Sequence, residues 1–339
     1  MINGLRSVLV WRRNAVRRAR AAHVPVLAAL AVTLAAACGT SGSAAANYPN
    51  KPLKIVVPFP AGAATDVHAR VLGKALADEL HVSVVVENIP GGLTAPGVNA
   101  LLAAPADGYT VLFASSTTMY AISENLVKTP FANLQFIARL TNEPFAFVVA
   151  SDSPFTSYAQ MVAYAAAHPG KVSVSGIGAV SPSSRFVYTL DKAAGIGLNY
   201  VPNAGGGDVA TSLLGHQADA GVGSLSNFYS YIKAGKLRAL FIGTDMPYPG
   251  LESVPTAKQV GNEDYVRSWF GLVLRSGTPA DRTKRLEEAI QKSTQSDTWT
   301  KFLSAQQESD DFMPAPSFTA FVKKDLADTQ AFVSATKKT

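Results

Sequence analysis

The chain has 339 residues, of which 47% are hydrophobic and 16% are charged, a composition that excludes a disordered protein and allows a sizeable core. Because single hydrophobic cores stop growing near about 250–300 residues, the length favours two domains. The formal net charge of +6 comes from six arginines before residue 38, and the rest of the chain balances 24 basic against 24 acidic residues. A neutral body gives no basis for binding nucleic acid, so we expect no such partner.

The first 47 residues have the pattern of an export signal followed by a spacer. The arginines precede an apolar stretch from Val24 to Ala37, as in secretory signal peptides, and its fourteen residues are too few to span a membrane comfortably. Cys38, the only cysteine, follows in a context that resembles a lipoprotein signal. We predict a signal peptide at residues 1–37, lipidation of Cys38, and a flexible tether over residues 38–47.

Two alternatives to lipidation stay open. One is cleavage after an Ala-x-Ala site near residues 44–46, and the other is a purely structural role for Cys38. A single cysteine excludes a disulfide within the chain. In each case we expect an exported protein, located in the periplasm or at the outer face of the cytoplasmic membrane.

The first strand and the loop after it have the pattern of an anion site. The β-branched residues 55–57 predict a buried parallel strand, which two prolines end. Small residues at positions 61–64 follow, and Thr65 or Asp66 is predicted to cap a helix that runs to Leu80. Free N–H groups and the helix dipole at such an N-terminus each favour a carboxylate by about 0.3–1 kcal/mol. The alternative is an ordinary turn between a strand and a helix.

Two further strands complete a β-α-β-α-β pattern. They are predicted at residues 82–86 and 109–114, and the second runs into the hydroxyl-rich residues 115–118. This order predicts a parallel sheet with helices on both faces. The polar loops fall at the carboxyl ends of strands, where open α/β sheets bind ligands.

A second run of strands and helices begins at residues 145–150. Its other strands are predicted at residues 172–175, 198–201, 218–222 and 237–242. The first two of these lead into residues 176–184 and 202–208, loops rich in small and polar residues. A strand at residues 268–274 and helices over residues 278–338 finish the chain, so the fold class is α/β throughout.

The sequence contains no motif of a catalytic, metal or cofactor site. HExxH, GxSxG, a phosphate-binding GxxxxGK[ST] loop and GxGxxG after a strand are all missing. Four histidines outside the leader are scattered, and we expect them on helix surfaces and in turns; they are His68, His81, His168 and His216. We therefore expect no catalytic residue, no metal and no cofactor. A secreted hydrolase or transferase is the rival hypothesis.

Seven short motifs occur in order from Tyr48 to the C-terminal part of the chain. They lie at residues 48–66, 85–91, 105–110, 234–239, 254–256, 269–272 and 277–279. Together they resemble the Bug family, the extracytoplasmic solute receptors of tripartite tricarboxylate transporters. The resemblance implies a two-lobed, periplasmic-binding-protein-like type II fold with a small organic carboxylate in the cleft between the lobes. It also implies membrane transporter subunits as partners, and we expect a monomer.

The resemblance and the strand order together predict how the chain divides. Lobe one combines residues 48–144 with residues 268–339, and lobe two is residues 145–267. The ligand-binding residues implied by the resemblance are Phe59, Pro60, Ala61, Gly62, Thr65, Asp66, Ser115, Ser116, Thr117, Ser175, Ser181, Ser183, Ser184, Asn203, Ala204 and Asp208.

Three departures from the family pattern leave the solute open. Residues 61–63 read Ala-Gly-Ala where Pro-Gly-Gly is usual, Ser184 stands where histidine is common, and residues 203–205 replace a frequent Tyr-Lys-Gly. Arg185 either clamps a second carboxylate or lies on the helix surface, and we expect the surface. A receptor used for sensing instead of transport is a further alternative.

Overall fold

The computed structural model describes residues 48–127, 131–262, 265–306 and 308–337. Residues from Pro49 onward form one compact unit. The predicted signal peptide, the tether and Cys38 lie outside the described residues. Within the described ranges, no helix combines the length and apolar character needed to cross a membrane.

Strands and helices alternate through this part of the chain. The strands are β1 (Leu53–Val57), β2 (Val84–Asn88), β3 (Thr110–Ser115), β4 (Leu134–Ala150), β5 (Ser173–Ile177), β6 (Asn199–Asn203), β7 (Ala220–Ser224), β8 (Leu237–Ile242), β9 (Arg267–Arg275) and β10 (Met313–Pro314). The α-helices are α1 (Ala64–Leu80), α2 (Ala95–Ala103), α3 (Thr117–Ser123), α4 (Tyr158–Ala167), α5 (Pro182–Ala194), α6 (Gly206–Leu214), α7 (Ser226–Lys233), α8 (Ala280–Thr294), α9 (Asp297–Gln306) and α10 (Ala315–Thr336). The α/β class predicted from the sequence is confirmed.

The strands form one continuous sheet in the order β2-β1-β3-β9-β4-β7-β5-β6, and β8 and β10 also pair with β4. β1 is parallel to β2 and β3, and β5 is parallel to β6 and β7. β9 is antiparallel to β3 and β4. The loops after β1 and β3 therefore leave one parallel set at its carboxyl edge, and the loops after β5, β6 and β7 leave the other.

β4 joins the two parallel sets because it is seventeen residues long. Residues 134–144 pair with β9, whereas residues 145–150 pair with β7 and β8. We call β2, β1, β3, β9, β10 and residues 134–144 the first half of the sheet, and β5, β6, β7, β8 and residues 145–150 the second half. We propose that each half, with its helices, forms one lobe with the boundaries predicted above.

Each half of the sheet has its own apolar core. In the first half, Leu112 and Phe136 pack with Trp269 and with Phe318 of α10. In the second half, the rings of Phe147 and Phe186 each stack on the ring of Phe241. Burying such large side chains stabilises each half by about 1.5–3 kcal/mol per residue.

Several strands differ from the sequence-based prediction: β7 begins two residues later than predicted, β10 was not predicted, and β2 and β4 differ as follows. β2 begins two residues later than predicted and alternates between half-buried and exposed positions, because it is an edge strand that pairs only with β1. The predicted strand at residues 145–150 is the end of β4, whose first part was missed. That part contains the buried Arg139, which forms an ion pair with Asp311 (2.9 Å) and breaks the apolar pattern.

Candidate functional site

The loop between β1 and α1 is held by a single buried carboxylate. Asp66 is 3% exposed and accepts hydrogen bonds from the Gly62 N–H (2.9 Å) and from Asn88 Nδ2 (2.8 Å). The Arg70 guanidinium donates to both of its oxygens, through Nε (3.0 Å) and Nη2 (2.9 Å). Asn88 Nδ2 also donates to the Phe59 carbonyl (3.1 Å). Asp66 and Asn88 thus fasten both ends of the loop to α1 and β2.

The predicted cap of α1 is wrong. The helix begins at Ala64 with Ala63 as its N-cap, which places Thr65 and Asp66 inside the first turn. No side chain in the described part of the chain caps it. Asp66 instead reaches back to Gly62, whose φ of +82° brings its N–H toward that carboxylate. An uncapped helix start leaves the first N–H groups without helical partners, which makes them available to an anion.

The ionisation of Asp66 follows from its contacts. Burial by itself would raise the pKa of this carboxyl, but the hydrogen bonds from Arg70, Gly62 and Asn88 outweigh burial and hold the pKa below its usual value. Asp66 is therefore ionised at neutral pH. With its oxygens occupied by the protein's own donors, Asp66 shapes the loop.

The loop after β3 places three predicted hydroxyl residues at the end of that strand. Ser115 is 3% exposed, and its Oγ has no hydrogen-bond partner among the described residues. The Ser116 N–H donates to the Trp269 carbonyl (3.1 Å), which ties the loop to β9, and Thr117 begins α3. A buried hydroxyl without a partner is costly, so Ser115 is suited to bind a further polar group.

The loop after β5 ends in a capping box. The Ser181 hydroxyl accepts the Ser184 N–H (3.2 Å), and the Ser184 hydroxyl accepts the Ser181 N–H (2.9 Å). Ser181 Oγ also contacts the Ile177 carbonyl (2.5 Å). Both hydroxyls therefore serve the start of α5. Ser183 is buried beside Gly176, where an added Cβ would approach its side chain to 3.0 Å.

The loop after β6 is tied to the loop after β5. Asn203 Nδ2 donates to Ser175 Oγ (2.7 Å), and the Gly178 N–H donates to the Asn203 carbonyl (2.9 Å). Ala204 and Asp208 are exposed, and Asp208 lies in the first turn of α6. Like α1, α6 has no side-chain cap.

A cavity of about 460 Å³ lies between the two halves of the sheet. Gly62 and Ala64 line it from the first half, and Ser226 and Asn227, at the start of α7, line it from the second. Of the sixteen predicted ligand-binding residues, only Gly62 lines this cavity; the others lie on the loops described above, or, for Pro60 and Ala61, on exposed positions of the first loop. No group of three or more His, Cys, Asp or Glu in the described ranges is arranged to hold a metal ion.

Sequence reasoning missed Ser226 and Asn227. A Cβ on Gly206 would collide with the Asn227 amide, so Asn227 lies against the uncapped start of α6. The signal was present in the sequence, because both residues lie in the short polar stretch 223–227 that follows a predicted strand. The loop after β7 thus completes the set of loops at the carboxyl ends of the parallel strands.

Glu308 and His68 line the cavity, and the buried carboxyl group of Glu143 lies next to it, bonded to Ser226. Glu143, near the midpoint of β4, accepts the Ser226 N–H (2.7 Å), and burial together with nearby Glu308 raises the pKa of Glu143 to about 7. His68 contacts Glu308 through Nε2 (2.8 Å) and the Ala64 carbonyl through Nδ1 (2.7 Å). The predicted surface position of His68 is wrong, because the aromatic rings of α9 and β9 cover it.

Arg185 also lies elsewhere than expected. The predicted surface position is wrong: the residue is 8% exposed, and its guanidinium forms ion pairs with Asp325 (2.7 Å) and Asp328 (3.3 Å) of α10. The sequence did not indicate this contact because its partners lie about 140 residues away.

The comparisons with known proteins agree with this architecture. A model of the family described as tripartite tricarboxylate transporter family receptor, TctC, matches residues 68–337. The protein BugT of Bordetella pertussis is 29% identical over 286 residues, which are 83% of this chain and 88% of that protein. A crystal structure of a TctC solute binding protein from Polaromonas has a TM-score of 0.77 at 27% identity and covers 85% of this chain and 99% of its own.

Two solved structures from Rhodopseudomonas palustris share the fold at 22% identity. MatC, with bound malate, has a TM-score of 0.68 and covers 84% of this chain and 99% of its own. Rpa4515, with adipate, has a TM-score of 0.69 and covers 84% of this chain and 98% of its own. The two-lobed α/β fold and the resemblance to the Bug family are both confirmed. The chain therefore belongs to the tripartite tricarboxylate transporter family of receptors.

Proposed function

We propose that this receptor captures a small organic carboxylate outside the cytoplasmic membrane and delivers it to the membrane subunits of its transporter. The observation that carries the proposal is the uncapped start of α1 beside Gly62, at a cavity that both halves of the sheet line. Such a helix start favours an anion through its free N–H groups and its dipole. The malate and adipate in the two R. palustris structures support a carboxylate as the ligand class.

Neutral donors hold the carboxylate in this proposal. None of the described residues that line the cavity is Lys or Arg. The guanidinium of Arg70, on α1, is already bound to Asp66. We retain the sixteen loop residues predicted from the sequence as the proposed site and add Ser226 and Asn227. Of these eighteen, Gly62, Ser226 and Asn227 line the cavity. Asp66, Ser181 and Ser184 act by fixing the loops.

Purified protein distinguishes a receptor from the rival hydrolase or transferase. We expect one class among mono-, di- and tricarboxylates and aromatic acids to raise the melting temperature, as one-site binding to the folded state requires. Proton NMR of the mixture should show the solute unchanged after prolonged incubation. Conversion of the solute would support the enzyme, and stabilisation by none of these acids would contradict the carboxylate proposal.

Variants of the first loop test the position of the site. Gly62→Val should abolish binding of the stabilising acid, because valine adds bulk at the cavity and resists a φ of +82°. Gly170→Val is the matched control. Gly170 has a φ of +76° and equally open surroundings, and it lies before β5, at the end away from the proposed binding loop that follows this strand. Unchanged affinity in a folded Gly62→Val protein would place the ligand elsewhere.

Hydroxyl deletions should weaken binding less. We expect Ser116→Ala and Ser183→Ala each to lower the affinity by about ten- to a hundredfold, since a charged hydrogen bond contributes about 1.5–3 kcal/mol. Calorimetry with the stabilising acid gives these values. An effect of less than twofold in both variants would remove these hydroxyls from the proposed site.

We also propose that the exported chain is a monomer held at the membrane by a lipid on Cys38. The support is sequence context alone: an apolar stretch, one cysteine and a Gly/Ser-rich tether. Cys38→Ala should release the protein from membranes without changing its thermal stability. A variant that still sediments with membranes would favour cleavage near residues 44–46 with another mode of attachment.

A further inference from the structure

We infer that Arg185 is a positioning residue that ties the solute-binding loop after β5 to the C-terminal helix of the first half of the sheet, and thereby slows the release of bound solute. This inference rests on the proposed function. Arg185 itself does not line the 460 Å³ cavity. It acts through the loop whose helix it belongs to.

The contact between Arg185 and α10 is dense and well shielded from water. Nη1 donates to Asp325 Oδ1 (2.7 Å) and to Thr329 Oγ1 (3.0 Å), and Nη2 donates to Asp328 Oδ2 (3.3 Å). The side chains of Arg185 and Asp325 are 9% and 15% exposed. Charge-assisted hydrogen bonds of this kind are stronger than neutral ones, and low exposure limits their screening by solvent.

Within α5, Arg185 lies one helical turn from the loop of the proposed solute site. The Arg185 N–H donates to the Ser181 carbonyl (3.0 Å), so the residue directly follows the capping box of α5. Ser181, Ser183 and Ser184 are proposed ligand or loop-fixing residues. A shift of Arg185 away from α10 would therefore shift the whole loop.

The acceptor side is anchored in the first half of the sheet. Asp325 Oδ2 accepts the indole N–H of Trp269 in β9 (2.8 Å), so one carboxylate joins β9 to α5. Next to this ion pair, the ring of Tyr188 in α5 packs on Phe332 of α10, with centroids 5.3 Å apart. Arg185, Asp325 and Trp269, which we call the clasp, thus connect the two halves away from the solute.

If the cleft opens by a movement of α5 away from α10, these groups separate. Each partner would then lose its charged hydrogen bonds and require hydration, so the clasp favours the arrangement in which both halves contact the solute. A contact that stabilises only this arrangement lowers the dissociation rate of the solute, because the cleft must open before the solute can leave.

The first experiment needs no solute. Small-angle X-ray scattering of the purified protein should give a larger radius of gyration for Arg185→Gln and Asp325→Asn than for the unmodified chain. Arg285→Gln is the matched control, since it breaks an ion pair with Glu79 (3.3 Å) inside the first half and should leave the radius unchanged. An unchanged radius in folded Arg185→Gln and Asp325→Asn would overturn the inference.

The second experiment measures release. With malate and adipate as probes, stopped-flow tryptophan fluorescence should show dissociation about tenfold faster in Arg185→Gln. The double variant with Asp325→Asn should be no faster than the more affected single variant, because both remove the same contact. Arg185→Lys should recover part of the slow release.

The outcomes separate the two proposals. If the unmodified protein binds neither malate, adipate nor any other carboxylate, the proposed function fails while the scattering experiment still tests the clasp. If it binds a carboxylate and the two single variants act independently and additively on the dissociation rate, the clasp fails while the proposed function stands. A loss of melting temperature shared with Arg285→Gln, without a change in dissociation rate, would reduce Arg185 to a structural role.

Discussion

The buried carboxylate of Asp66 offers the sharpest test of how the first loop is held. Asp66→Asn keeps the shape of the side chain but replaces one acceptor oxygen with an NH₂ group. The new donor faces the N–H of Gly62 or the amide of Asn88, both of which donate to Asp66 at 2.8–2.9 Å. The variant also loses the charge that binds Arg70.

The expected cost follows from these contacts. A hydrogen bond to a charged group contributes about 1.5–3 kcal/mol, and the orphaned donor adds part of its desolvation penalty. Arg70 is half exposed, so water largely replaces the ion pair that its guanidinium loses. We therefore expect the free energy of unfolding to fall by about 2–4 kcal/mol, measured by urea denaturation at pH 7.

The dependence on pH gives an independent check. The pKa of Asp66 is lower in the folded protein than in the unfolded chain, so its contribution is fully present above about pH 4 and is lost as the pH falls through the folded value. The difference in the free energy of unfolding between the unmodified protein and Asp66→Asn should therefore become smaller at acidic pH. Asp78→Asn, on an exposed position of the same helix, is the matched control. If the two variants differ by less than about 0.5 kcal/mol at pH 7, the loop does not depend on Asp66.

Two further predictions concern other positions. Gly271→Ala should lower the free energy of unfolding by at least about 1–3 kcal/mol in urea denaturation, because its Cβ would collide with Phe318 and lie 2.8 Å from the Ala138 carbonyl. Gly207→Ala, whose Cβ would enter open space, is the control and should leave the free energy of unfolding unchanged. Equal free energies of unfolding in the two variants would contradict the close packing of Gly271. Glu143→Gln should reduce the loss of unfolding free energy between pH 5 and pH 8. With a folded pKa of about 7, Glu143 stabilises the protein only when protonated, by up to about 3 kcal/mol. If the free energy of unfolding falls equally with pH in the variant and the unmodified protein, this prediction is wrong.

Local patterns were sufficient for much of the fold. The β-branched run in β1 is fully buried as predicted, and α1 ends at Leu80 as predicted. In these places the strand or helix is determined by neighbouring residues in the sequence. The order of strands and loops also placed the polar loops at the carboxyl edge of each parallel set.

Long-range contacts explain what the sequence did not reveal. Arg185 and His68 are buried against Asp325 and Glu308, which lie far along the chain. The first part of β4 was missed because Arg139 interrupts its apolar pattern and finds its partner in Asp311. In each case a polar side chain is buried through a partner that local periodicity cannot indicate.

The position of β9 between β3 and β4 has a consequence for how the chain is made. The second half of the sheet is built from one continuous stretch, residues 145–242, but the first half lacks its central strand until residue 275 has been synthesised and its covering helix α10 until residue 336. The second half of the sheet is therefore fully synthesised before the first half, although the first half contains the earlier residues. C-terminal truncations should leave a protease-resistant fragment from the middle of the chain, while its amino-terminal strands are degraded.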